Sequence, residues 1–280
     1  MSMLTLIGRH RLALFFKYLV VVIGAVVVLF PIYEMISTSL KLEVDAFKIP
    51  PKWIFTPTLK NYAEVLFSNN FGRYFINSTV VALSATLGSV AVGALAAYAM
   101  ARWNFRGKVA MVVGTLLLRM IPPVILVVPV FVMFNGLGLT SGRIGLILIY
   151  IALTLPFNIW VLRTFIMDLP SELEESAIID GCGDLRVFLQ IVLPLTAPGM
   201  AVASIFTFRI AWNEFILSLV LTNRLTRTLP VAVSLFLTDT GTEWGKITAI
   251  ATIIAIPAFI FTFTAAKSLI MGLTAGAVKG

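Results

Sequence analysis

The sequence predicts an all-α membrane protein with six transmembrane helices and one helix–turn–helix lying outside the bilayer. Three observations predict it. Residues of the AVILMFWYC set make up 59% of the 280, and charged residues only 12%. A soluble domain has roughly 45–50% and about 25%. The mean hydropathy is +1.01. Six segments are each apolar over about 20 residues, the helical length that crosses a hydrocarbon core about 30 Å thick. Such a chain has too little polar side-chain surface to cover a water-facing globule. That excludes a soluble enzyme, a disordered regulator and a disulfide-stapled secreted domain.

The spans follow in order. The first covers residues 14–37 behind Arg9, Arg11 and Lys17. Its apolar run exceeds the about 7–15 residues of a signal-peptide core and no small-x-small site closes it, so it reads as an uncleaved span. The second, 74–100, carries a ladder of small residues four apart: Ala85, Ser89, Gly93, Ala97 and Ala101. That spacing stacks them on one face, where a neighbouring helix can approach closely. The third, 109–134, holds Pro122, Pro123 and Pro129. The fourth, 144–165, holds Pro156. The fifth is 196–221, and the sixth, 247–270, holds Pro257. Internal prolines remove backbone hydrogen bonds, so these spans are expected to be broken. Residues 229–237 are semi-apolar, too short to span, and expected to be re-entrant or interfacial. The whole chain, 1–280, is expected to form a single transmembrane domain.

An even number of spans puts both termini on one side. The formal charge of +8 comes from 21 Lys and Arg against 13 Asp and Glu, with the basic residues scattered between apolar segments as membrane flanks rather than a nucleic-acid face. The short loop from Arg102 to Lys108 holds three basic residues and the short loop from Asn135 to Arg143 one. Short loops and the first span weigh most in the positive-inside rule, which places both termini in the cytoplasm. Cys182 is the only cysteine and His10 the only histidine. An internal disulfide, a histidine metal cluster and a Cys/His or paired-His catalytic site are thereby excluded.

The polar stretch 168–195 carries Asp168, Glu172, Glu174, Glu175, Asp180 and Asp184, six of the chain's thirteen acids. Ser171 is placed to cap a helix whose first turn is acidic, which suits the positive end of the helix dipole. Gly181 and Gly183 permit a turn. A second amphipathic helix, with Leu185, Phe188, Leu189 and Val192 on its apolar side, reaches Pro194. A helical pair tied at both ends to spans is suited to pass a push from a soluble partner to the membrane helices.

The same residues resemble the EAA loop of binding-protein-dependent ABC importers. In that pattern Glu-Ala-Ala is followed by three residues, Gly, nine residues, and Ile-x-Leu-Pro. Here Glu175-Ser176-Ala177 leads to Gly181 and then to Ile191, Leu193 and Pro194, with Ser176 the one departure. Asn77-Ser78, Ala97-Tyr98-Ala99 with Arg102, Ile121-Pro122-Pro123 and Trp212-Asn213-Glu214 are similar to the carbohydrate branch. The ending from Gly272 to Gly280 is similar to the maltose permease subunit that sends its tail to the ATPase pair. The chain thus resembles the maltose-type carbohydrate permeases.

The resemblance implies a non-enzymatic permease subunit in a bacterial or archaeal cytoplasmic (inner) membrane. It would pair with a second permease, which the tail suggests is a different chain, with two ATP-binding subunits and with an extracytoplasmic solute-binding protein. This chain would bind no cofactor, and ATP and Mg would sit on the partner ATPase. Glu174, Glu175, Ser176, Ala177, Asp180, Gly181, Ile191, Leu193 and Pro194 would couple to that ATPase, and residues 41–73 would lie outside to receive the binding protein.

Two arginines sit within spans. Arg119 lies about ten residues into the third and Arg209 about thirteen into the fifth, deep in the bilayer at about 1.5 Å per residue. Buried arginine faces a bundle interior or water. Either these pair with the membrane acids Glu34 and Glu214 or with backbone carbonyls, or one faces the pathway and binds solute hydroxyls or an anionic group. Asn158, Trp212, Asn213 and Glu214 are further pathway candidates, since amides and aromatic rings suit sugar hydroxyls and C–H faces. The solute is left open among a monosaccharide, a disaccharide, a polyol and a charged derivative. The alternatives are a permease for another small polar solute and a secondary transporter, though no internal repeat supports the latter. There is no GxSxG or HExxH. The nearest phosphate-loop lookalike, Gly241 to Ile247, has the wrong spacing, so ATP is handled by another chain.

Overall fold

The computed structural model describes the backbone of residues 3–67, 70–238 and 241–277, and the side chains of residues 14–67, 70–237 and 242–264. The helices, in chain order, are α1 (Met3–Ser39), α2 (Glu43–Ala46), α3 (Lys60–Phe67), α4 (Phe71–Arg102), α5 (Lys108–Arg119), α6 (Pro123–Gly136) and α7 (Arg143–Met167). Next come α8 (Glu172–Ile179), α9 (Asp184–Val187), a π turn (Phe188–Val192), α10 (Leu193–Leu195), α11 (Ala197–Asn213), α12 (Ile216–Leu221) and α13 (Leu229–Ser234). A two-residue hairpin pairs Leu237–Thr238 with Gly241–Thr242, and α14 (Trp244–Ala277) follows. The fold is all-α apart from that hairpin.

Four segments are long and apolar enough to cross a membrane unbroken: Leu14–Ser39, Phe71–Arg102, Arg143–Met167 and Trp244–Thr264. Two bent pairs bring the number to six. Lys108–Arg119 and Pro123–Gly136 meet at 100° and together make one broken span, and Ala197–Asn213 is the other, turned by 76° from the extramembrane Asp184–Leu195 that leads into it. Of the expected proline breaks, the structure shows the one at Pro122-Pro123. Pro129, Pro156 and Pro257 lie inside continuous helices. The difference is physical. A lone proline removes one rung of the helical ladder. A tandem pair removes two and drives its first member out of helical geometry, and Pro122 accordingly takes ψ 131°. The apolar stretch after Ala197 is also interrupted, at Glu214, whose ψ of 128° ends α11 before α12 restarts.

The chain divides into two compact units. The first comprises Met1–Asn69 and Phe236–Ile253. Its polar end is well tied. The Asn61 amide donates to the carbonyls of Ser39 (2.9 Å) and Lys41 (2.8 Å), closing the end of α1 onto α3. Asp45 pairs with Lys48 at 2.9 Å and with Lys52 at 2.8 Å. Glu64 on α3 pairs with Lys246 at 3.0 Å.

The second unit comprises Asn70–Leu235 and Ile254–Gly280. Its centre is α4, packed chiefly on α7 and then on α11. The small-residue ladder does what its spacing predicts: Ala85, Ser89, Gly93 and Ala97 are buried and Ala101 partly so. At Gly93 α7 comes close, because an added Cβ would stand 3.0 Å from the Asn158 Cβ. Ser89 Oγ accepts from Thr154 Oγ1 (2.9 Å) and Asn158 Nδ2 (2.8 Å), and Asn158 also bonds Thr207. One buried polar node thus joins α4, α7 and α11. Residues 229–237 begin as α13, whose Leu229, Val231 and Ala232 are buried. Asn77 donates to the carbonyls of Leu225 and Arg227, and Ser78 Oγ accepts from the Leu229 amide, so the start of α4 holds this loop.

Candidate functional site

The segment 172–195 folds as the expected helix–turn–helix. Helix α8 ends in a Schellman motif: the Cys182 amide donates to the Ala177 carbonyl (2.9 Å) and the Gly181 amide to that of Ile178 (3.0 Å). Gly181 takes φ +82°, a conformation that costs an L-residue a steric clash. Gly183 stays in extended geometry and opens α9. Two expectations need correction. Ser171 makes no side-chain cap, because its own backbone is already helical at φ −66°, ψ −24°. The second helix is also not one regular amphipath. It runs as α9, a π turn and α10. The Leu193 amide reaches back five residues to Phe188, which widens the helix just before Pro194, whose ring would crowd the preceding turn.

Val187, Phe188 and Val192 pack with Ala177 against Ala94, Ala97 and Tyr98 of α4 and Leu162 and Ile166 of α7. Leu185 (66% exposed) and Leu189 (49%) point outward instead. They border an apolar recess with Leu87, Ala91 and Leu95 of α4 and Met200 of α11, while Leu173, Ile178 and Ile179 of α8 are exposed among Glu172, Glu175, Asp180 and Asp184.

The coupling candidates divide accordingly. Glu175, Ser176, Asp180, Gly181 and Pro194 are exposed, and Ile191 and Leu193 are partly buried. Ala177 and Glu174 are buried. Glu174 is an anchor. Its Oε1 accepts from Arg102 Nε at 2.7 Å and its Oε2 from the Tyr98 hydroxyl at 2.9 Å. Arg102 also donates to the Leu169 carbonyl (2.9 Å). This three-residue lock ties α8 to the end of α4. Tyr98 and Arg102 stand four apart on one helix face, a spacing visible in the sequence, but nothing there names Glu174 as the shared partner.

The pathway candidates separate in the same way. Asn158 is fully buried in the α4–α7–α11 node, with its amide engaged by Ser89 and Thr207. Trp212 is 1% exposed, donates to the Ile254 carbonyl (3.0 Å) and stacks on Phe208. Glu214 accepts from the Tyr150 hydroxyl (2.7 Å) and from the amides of Leu217 and Ser218, so it starts α12 and ties it to α7. These three build the bundle. Asn213 is exposed and donates to the Arg209 carbonyl.

The two arginines do not pair as the acids in the sequence suggested. Among the described residues neither reaches a carboxylate or donates a side-chain hydrogen bond. Glu214 is already committed, and the carboxylate of Glu34 belongs to the first unit. Arg119 lies over the Phe157 ring, 4.5 Å from its centroid, and Arg209 over Phe206 at 5.8 Å. Phe157 and Phe206 are themselves 5.0 Å apart. Both arginines are exposed on the surface of the second unit.

A bundle with broken spans, a helix–turn–helix at one end and two arginines that, among the described residues, have no ion-pair partner is the architecture of a membrane permease subunit. The chain belongs to the family of binding-protein-dependent transport system inner membrane components, matched over residues 89–271. The diacetylchitobiose uptake system permease protein DasC of Streptomyces coelicolor is 35% identical over 90% of this chain and 92% of its own. The trehalose/maltose transport system permease protein MalG of Thermococcus litoralis is 35% identical over 94% of this chain and 98% of its own. In fold, a chain of a bacterial ABC transporter involved in the import of the acidic polysaccharide alginate superposes with a TM-score of 0.77 at 21% identity, covering 92% of this chain and 96% of that one. The protein is therefore an ABC importer permease subunit, and the resemblance of its loop to the family pattern is real kinship. Subunits of this family are non-enzymatic, with ATP hydrolysis on a separate subunit.

Proposed function

We propose that this chain forms half of the transmembrane pathway for a sugar or sugar derivative, delivered by an extracytoplasmic solute-binding protein and driven by two ATP-binding subunits. It acts as one permease domain over its whole length, beside a second permease that is a different chain. Both termini face the cytoplasm of a bacterial or archaeal cell, and residues 41–73 face outward to the binding protein. The sugar class is supported by relatives named for diacetylchitobiose and trehalose/maltose transport.

The observation that carries the reading is the helix–turn–helix 172–195. Its inner face is locked to α4 by Glu174 and by Val187, Phe188 and Val192. Its exposed side carries Leu173, Ile178 and Ile179 of α8 among Glu172, Glu175 and Asp180. An element fixed on one side and apolar on the other suits a groove on a partner, and movement of that partner is passed directly to α4, α7 and α11. ATP and Mg stay on the ATPase chains, and this chain's residues only receive the push. The end of the chain, where the tail resemblance lies, reaches residues 278–280, outside the described residues.

The test is co-purification in mild detergent of the tagged chain with its native neighbours. An ATPase and a second permease are expected to co-elute. Gly181→Pro, which cannot take φ +82°, is expected to remove the ATPase while the second permease stays bound. A chain that purifies alone and transports in vesicles without ATP would overturn the proposal.

A further inference from the structure

We infer that Arg119 and Arg209 form an anion-binding element of the pathway, so that the imported solute carries a carboxylate, sulfonate or phosphate. This rests on the permease reading above and narrows its substrate class.

The argument begins with what the arginines lack. Among the described residues neither guanidinium has a carboxylate within salt-bridge distance or a hydrogen-bond acceptor. A cation within a span is costly, and spans place such groups toward a partner, a bundle interior or water. Here an aromatic ring lies against one face of each guanidinium. Phe157 lies 4.5 Å from Arg119 and Phe206 5.8 Å from Arg209. A ring under a guanidinium holds its plane by cation–π attraction and leaves the N–H edges free. Those edges match a planar carboxylate or a tetrahedral oxyanion through paired, charge-assisted hydrogen bonds.

The two arginines also belong together. Phe157 and Phe206 are in contact at 5.0 Å, so Arg119, Phe157, Phe206 and Arg209 form one continuous row contributed by α5, α7 and α11. Neutral solutes need no such row, because amide and hydroxyl groups satisfy hydroxyls without two unpaired cations in a span.

Depth decides between two sources of anion. Helices α5 and α11 both leave the end of the bundle where Arg102 meets Glu174. Arg119 stands about 17 Å and Arg209 about 18 Å along their helices at 1.5 Å per residue. In a hydrocarbon core about 30 Å thick both lie near the middle, away from lipid headgroups. The anion they meet is a passing solute. The helix breaks at Arg119–Pro123 and at Asn213–Ile216 lie beside them in sequence, as expected where irregular backbone lines a water-filled path.

The experiment uses the complete complex, with second permease, ATPases and binding protein, in ATP-loaded proteoliposomes. The probes are matched sugars: glucose against glucuronate, glucose 6-phosphate and glucose 6-sulfonate, and maltose and diacetylchitobiose against their oxidised acids. The acidic members are expected to be taken up and the neutral ones not. Arg119→Gln and Arg209→Gln should each lower uptake of the acidic sugar on the order of tenfold or more, the scale of a lost charge-assisted hydrogen bond. They should also narrow the acid-to-neutral preference, which a purely structural defect does not do. The Lys variants should fall between.

Neutral members taken up as fast as their acids by the unaltered complex would overturn the anion inference and leave the sugar permease intact. Uptake of no sugar at all would remove the sugar reading itself, and this inference with it. A Gln effect that vanishes in vesicles of phosphatidylcholine alone, and returns with phosphatidylglycerol, would assign the arginines to lipid headgroups and overturn the inference.

Discussion

Glu174 and Glu175 are adjacent, chemically identical, and opposite in role. Glu174 is inside, bonded to Arg102 and Tyr98, and Glu175 is outside. Helix geometry separates neighbours by about 100°, so only one of the two can face α4. The Arg102–Glu174 pair is 18% and 10% exposed, sheltered enough for breakage to matter. Glu174→Ala removes the acceptor of both partners and leaves a guanidinium and a phenol near the core. It is expected to destabilise the solubilised permease by about 2–3 kcal/mol, as for hydrogen bonds to a charged group. Glu175→Ala should change stability by less than about 0.5 kcal/mol. Tyr98→Phe should cost less than Glu174→Ala, and adding it to Glu174→Ala should cost little more, since the shared bond is already gone. Thermal unfolding in detergent measures all four. Equal losses for the two glutamates would refute the assignment of Glu174 as the lock. In the first unit, Asp45 is held below the usual aspartate range by its hydrogen bonds to Lys52 and Lys48. Glu64 is held below its usual range by Lys246. A depressed carboxyl stabilises the fold fully above its unfolded value and loses that contribution as pH falls through the lower, folded value. Order in residues 41–64 is therefore expected to persist through neutral and mildly acidic pH and to fail only under strong acid. Proteolysis of this segment against pH checks it, and cleavage that rises already near pH 6 would contradict it.

At the scale of elements, what the sequence made legible was local. The turn at Gly181, the break at Pro122-Pro123 and the packed ladder on α4 each follow from a residue's own backbone or side-chain size. The outcome differed wherever a distant partner decided. Leu185 and Leu189 are apolar and share a helical stripe with Phe188, yet they stay largely exposed at an apolar recess against α4, while Val187, Phe188 and Val192 are buried. Asn158, Trp212 and Glu214 look like solute contacts by type. Ser89 and Thr207, the Ile254 carbonyl, and Tyr150 claim them, and these partners lie 42 to 69 residues away in sequence. Arg119 and Arg209 show the converse. Acids were present in the sequence to pair with them, but Glu214 is spent on starting α12. Polar residue type within a span thus announced importance, while role depended on whether the fold had already supplied a partner.

Across the whole molecule, sidedness links the spans to the helix–turn–helix. Basic residues are almost evenly divided between the two sides, so total charge says little. The three basic residues between Arg102 and Lys108 carry most of the orientation argument. Arg102 is also the residue that grips Glu174, so the basic loop and the helix–turn–helix occupy the same end of the second unit. If that end is cytoplasmic, the proposed docking surface faces the compartment that holds ATP. If it is not, the proposed mechanism fails at once. The chain carries its own probe for the difference. Cys182 is its only cysteine, unpaired, partly exposed, and seated in the turn between α8 and α9. A membrane-impermeant maleimide is therefore expected to label the native chain in inside-out vesicles and not in right-side-out ones. Added ATPase subunits should slow that labelling, because the turn lies beside Ile178 and Ile179 on the proposed docking surface. Cys182→Ser, which keeps a small side chain in the same turn, should abolish labelling without altering assembly. Labelling from the outer face would invert the topology and place the helix–turn–helix beyond reach of any ATP-driven partner. Labelling from the inner face that ATPase leaves unchanged would keep the topology and move the docking surface elsewhere on the chain.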